Sequence, residues 1–154
     1  MSQVERSDYQ KSIDGMREAF EAMFALLAVY PQAKCEQPGA CGDWSSKEVM
    51  AHFSGWMAIA PGRFDDFDAG DTRSVKFDWD TTNAASVAER AHLSWDETRV
   101  DLHETLGKFL ARAERVAPEK PVSDPHYQEW LDDLRVDCVE HTDELRRFAY
   151  GSAS

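Results

Sequence analysis

Two histidines carry the residue types and spacing that could do chemistry. His52 lies in the run Trp44-Ser45-Ser46-Lys47-Glu48-Val49-Met50-Ala51-His52-Phe53. Val49, His52, Trp56 and Ile59 recur there at helical spacing, so the imidazole sits on a stripe that should face a core. His141 repeats the pattern near the other end, on a stripe of Tyr127, Leu131, Leu134, Cys138, His141, Leu145 and Phe148. Ring nitrogens buried among apolar side chains need partners. A neutral imidazole can serve as a general base or bind a divalent metal. Asp137, one turn before His141, can present a carboxylate on the same face. Cys138 is the alternative third ligand, and Glu48, one turn before His52, could orient the ring from behind. A catalytic divalent site needs three protein ligands and an open position, which His52, His141 and Asp137 would supply. The competing reading is a pair of buried neutral histidines bonded to each other or to Asp137.

Four long amphipathic helices must position these groups. The first is expected from about Val4 to Tyr30, with Met16, Phe20, Met23, Phe24 and Leu27 inward and Pro31 ending it. A loop follows to Asp43. Ser45 and Glu48 read as a capping box opening the second helix, which already gives Glu48 a role. Pro61-Gly62 should kink or restart that helix. A short amphipathic piece then carries Phe64 and Phe67. The connector Asp71 to Asp80 should close over one end of the core with Phe77 and Trp79. Asn83 to His92 reads as helical. A second capping box, Ser94 to Glu97, opens the next long helix, with Leu102, Leu106, Phe109, Ala113 and Val116 buried and Pro118 and Pro121 at its end. Asp124 as N-cap and Pro125 at the first helical position open the last, which runs to about Ala149. With no period-two alternation, this is a single all-α four-helix bundle domain over residues 1–154.

The remaining candidates read as structural. His92 and His126 should be exposed, and His103 a boundary residue. Trp44, Trp56, Trp79 and Trp95 are expected in the core. Glu140, Asp143 and Glu144 should form a solvated face.

A formal charge of −12 and a pI near 4.7 argue against nucleic acid and against an anionic membrane surface. No run of about 18 apolar residues suggests a membrane span, and the first residues lack the apolar segment of an export signal. Cys35, Cys41 and Cys138 form an odd set of expected free thiols, pointing to a reducing, cytoplasmic setting.

Once the helices are placed, the segment Trp44 to Phe53 resembles the W-S-x-K-(D/E)-V-L-A-H-L signature of DinB/YfiT-like proteins, closest to the ClbS/DfsB family of four-helix bundle proteins. Phe77-Asp78-Trp79 with Asn83, and Leu93-Ser94-Trp95-Asp96-Glu97-Thr98, are similar to that family's connector and third helix. Asp137 to Glu144 is similar to its fourth-helix N-T-x-E-H-x-x-E-H segment. The resemblance implies an up-down-down-up bundle with a long crossover between the second and third long helices, often a homodimer. It also implies, for many members, a divalent metal such as zinc or nickel on three histidines. Two fall on His52 and His141. The third falls on Leu145, a departure that makes the metal depend on Asp137 or Cys138.

Two functions are therefore expected. One is a metal-dependent hydrolase or thiol-transferase-like enzyme, of resistance type, acting on a small reactive molecule through His52 and His141. The other is a non-catalytic small-ligand-binding or assembly module whose metal site has degenerated.

Overall fold

A computed structural model describes residues 7–71 and 78–151. Phe77 and the start of the first helix at Val4 lie outside them. The elements are α1 (Asp8–Ala28), a short 3-10 turn (Gln32–Lys34), α2 (Ser46–Ile59), α3 (Pro61–Asp68), α4 (Trp79–Glu89), α5 (Trp95–Glu114), α6 (Lys120–Ser123) and α7 (His126–Tyr150). Among the described residues there is no strand, and no helix is long and apolar enough to cross a membrane.

Both expected capping boxes form. Ser45 Oγ accepts from the Glu48 amide at 3.2 Å, and Glu48 returns a carboxylate oxygen to the Ser45 amide at 3.1 Å. Ser94 and Glu97 do the same at 3.1 and 3.0 Å. Each box satisfies two backbone donors that a helix start leaves bare. Pro61 restarts the chain as α3, its missing N–H harmless at a first helical position. Two starts differ from expectation. Asp78 caps α4 by accepting from the Thr81 amide, so that helix begins four residues before Asn83 and includes Trp79. α7 begins at His126, and Asp124 accepts from the His126 amide at 2.9 Å.

Side-chain pairings fix the helix directions. Tyr9 meets Tyr127, and Tyr30 donates to the Leu145 carbonyl, so α1 and α7 run the same way. Tyr9 also donates to the Ala113 carbonyl while Tyr30 stacks on Trp95, so α5 runs opposite to α1. Ser46 donates to the Tyr30 hydroxyl and Phe53 packs on Phe20, so α2 also runs opposite to α1. The four long helices α1, α2, α5 and α7 are therefore up, down, down, up, with α3 and α4 forming the crossover.

Helix α2 lies between its neighbours, and Val49, Met50, Phe53 and Met57 are fully buried or nearly so. Ile59, expected on the same stripe, is 43% exposed, because the chain turns into α3 just beyond it. The far end of the core is closed by Phe64, Phe109 and Tyr127 stacked in series. There Tyr127 donates to Asp68 at 2.7 Å, and Arg112 clamps Asp68 at 2.6 Å.

Crossover helix α4 approaches α2 closely at Gly55. A Cβ there would come within 2.0 Å of Ser86 Oγ and 3.1 Å of Ser86 Cα. Gly55→Ala should therefore push α4 outward and cost about 1–3 kcal/mol. Urea denaturation of that variant and of Gly55→Ala/Ser86→Gly checks it, the second substitution recovering most of the loss.

Candidate metal centre in a tryptophan-lined cleft

The two histidines do face each other. α2 carries His52, which is 5% exposed. α7 runs antiparallel beside it and brings His141 to a ring-centroid distance of 5.5 Å at 71°. Phe53 touches both rings, at 4.9 and 5.3 Å, and fixes their spacing from the core side. From the solvent side Trp44 covers His52 at 5.1 Å. A tight turn places Trp44: its amide donates to the Cys41 carbonyl at 3.0 Å, and Gly42 supplies the positive φ of 56°.

Asp137 completes the group, with His141 Nε2 3.3 Å from its carboxylate. One ligand atom from each of His52, Asp137 and His141 lies within 4.8 Å of the others. Two buried imidazole atoms lack hydrogen bonds, His52 Nδ1 and His141 Nδ1. The nearest acid to the latter is Glu144 at 3.5 Å. For His52, the Val49 carbonyl one turn back favours the proton without completing a bond.

The electrostatics separate the pair. Burial holds His52 down to about 4, with the neighbouring His141 pushing the same way and Asp137 opposing. Burial also disfavours charge on His141, but bonding to Asp137 and the charges of Asp137 and Glu144 outweigh it and raise its pKa. At neutral pH His52 is a neutral donor of a lone pair, as a metal ligand must be. Two imidazoles and a carboxylate with one side open to a cleft therefore fit a divalent ion.

Other sequence candidates fall away. Glu48 is engaged in its cap. Cys138 is fully buried, its thiol beside Thr142 at 4.0 Å, and burial pushes it up to about 12. Leu145 is fully buried in the core. His92 and His103 are exposed, the latter against Phe24. His126, expected to be exposed, is half-buried and bonded through Nδ1 to Asp124, which offsets its unfavourable place at a helix start. Glu144 is not simply solvated. It belongs with Cys41 and His141 to a second donor group that shares His141.

The cleft beside the triad holds about 430 Å³, within the range of small-molecule sites. Trp44, Trp56, Trp79 and Trp130 wall it, with Asn83 and Asp133. The first three were expected in the core. Trp56 is there, 4% exposed, and Trp44 packs against the core, but Trp79 is 56% exposed and tilts over Trp56 at 4.7 Å, while Trp56 Nε1 donates to Asn83 at 2.7 Å. Trp130, Asp133 and Asn83 were missed by sequence reasoning. A signal existed: Trp130, Asp133, Asp137 and His141 recur at helical spacing, and Trp79 and Asn83 are one turn apart.

This all-helical arrangement is compatible with a helical bundle of the DinB-like superfamily. Within it the chain belongs to the family described as the mycothiol maleylpyruvate isomerase N-terminal domain, whose sequence model matches residues 16–146. No curated protein and no solved structure matches the chain.

Proposed function

We propose that this protein is a metal-dependent enzyme that brings a small nucleophile, a thiol or water, onto a reactive small molecule in the tryptophan-lined cleft. The observation that carries this is the triad of His52, Asp137 and His141 within 4.8 Å at the cleft wall, with His52 Nδ1 buried and unbonded. The family description names a mycothiol isomerase, which supports the thiol. The ClbS/DfsB-like segments support an electrophilic substrate.

When bound, a zinc or nickel ion supplies Lewis acidity, acidifying a thiol or water and polarising the electrophile. The chain's own residues do the rest. His52 and His141 would hold the ion with Asp137, whose charge offsets part of the ion's. Trp44 covers His52 and limits water around it, which strengthens every charge interaction inside. Asn83 holds the Trp56 ring by its N–H, so the wall presents one fixed surface. In this reading the chain acts as a homodimer, with no nucleic acid or membrane partner.

The test is turnover of an electrophile panel by chelator-treated protein, before and after reloading with zinc or nickel, with and without a small thiol. Activity should return only with metal and fall at least about a hundredfold in Asp137→Ala. Turnover indifferent to metal would overturn the reading. The burial of Leu145 in the core favours a second one, a binding module without catalysis, which ligand uptake with no turnover in any metal form would establish.

A further inference from the structure

The cleft walls select a ligand that family membership does not dictate. Trp44 comes from the loop before α2, Trp56 from α2, Trp79 from α4 and Trp130 from α7. Indole faces stack on flat rings and attract cations more strongly than other aromatic side chains. Asp133 and Asp137 stand on the same side, and among the described residues no lysine or arginine lines the cleft. Asp133 is exposed beside the cleft, and partial desolvation, then the charges of Glu129 and Asp132, push its carboxyl up. An anion so crowded gains from a neighbouring cation and repels a further anion. Trp130 Nε1 is a buried donor with no acceptor, which costs free energy.

We infer that the cleft takes a flat aromatic ligand, uncharged or cationic and free of carboxylates, stacked among the tryptophans. In the metal-free protein a dicarboxylate such as maleylpyruvate meets no lysine or arginine among the described lining residues, and Asp133 and Asp137 oppose it. The substrate of the proposed reaction is then a neutral or cationic aromatic electrophile. This rests on the proposed function only in taking the cleft as the place where substrate sits.

Calorimetric titration of the whole chain with three probes of similar shape tests it, in chelator and then with zinc. The probes are N-methylquinolinium, quinoline and 2-naphthoate. In chelator the cation should bind about tenfold or more tighter than 2-naphthoate, with quinoline between them. Asp133→Asn should weaken the cation roughly three- to tenfold and leave quinoline unchanged. Trp79→Ala, at a half-exposed position, should weaken both about tenfold. Equal or tighter binding of 2-naphthoate overturns the inference, as does failure of all three probes to bind. Zinc uptake is read separately: a protein that takes no zinc but keeps this order of affinities loses the metal reading alone.

Discussion

If the proposed centre holds zinc, His52→Ala should lower the affinity for it by at least about a hundredfold, which is about 2.8 kcal/mol or more. The proposed site has three protein donors, so losing one would leave a two-ligand site open to water on two sides, a set that structural and catalytic zinc centres do not use. Asp137→Ala should act in the same direction. His141→Ala should be as severe, but it does not distinguish the two donor groups, because His141 belongs to both. The pair Cys41→Ser and Glu144→Gln supplies the contrast. Burial and then Glu144 hold the Cys41 thiol up to about 12, so making the thiolate a ligand costs a deprotonation beside another anion. His52 needs no such step, being neutral already. Competition with a chromophoric chelator should therefore show large losses for His52→Ala and Asp137→Ala and small ones for Cys41→Ser and Glu144→Gln. The reverse pattern would move the centre to the other face of His141.

The second large effect is on the metal-free protein. His52 has its pKa depressed on folding from 6.5 to about 4, chiefly by burial. Between those values the unfolded chain binds a proton that the folded chain does not, so stability rises with pH. Above pH 6.5 the ring is neutral in both states and adds no pH dependence, and stability is lost as the pH falls from 6.5 towards 4. The loss is on the order of 2–3 kcal/mol. His141 has the opposite sign. Its raised pKa contributes stability that is fully present below 6.5 and fades as the pH climbs through the folded value. The two act in adjoining windows, His52 below pH 6.5 and His141 above it, so together they place a stability maximum near pH 6.5. Carboxylates held low, such as Asp68 through Tyr127 and Arg112, act mainly below this window. His52→Leu should flatten the acid loss and raise stability at neutral pH by about 1–2 kcal/mol, since it removes a buried, unbonded nitrogen. Urea denaturation in chelator at pH 7.5, 6 and 5 measures both. An unchanged pH slope in His52→Leu would place the acid sensitivity elsewhere.

Helices whose start and face are set by neighbours in sequence are legible from the residues alone. Ser45 with Glu48 and Ser94 with Glu97 cap through contacts three residues apart, and the stripes from Met16 to Leu27 and from Leu102 to Val116 are written in local periodicity. The same logic placed His52 and His141 inward. Ile59 and Trp79 departed because their exposure depends on where the chain goes next, into α3 and out of the connector.

What the sequence by itself determined was therefore four long amphipathic helices, their caps, and two imidazoles on buried or half-buried faces. Only the tertiary structure decided that those imidazoles meet with Asp137, that Glu144 reaches His141, and that Trp44, Trp56, Trp79 and Trp130 wall one cleft. The physical reason is that periodicity records which way a side chain points from its own helix. Which distant side chains it meets is set by the rotation and register of one helix against another, and these emerge only when close packing, such as α4 against Gly55, leaves one arrangement that fits.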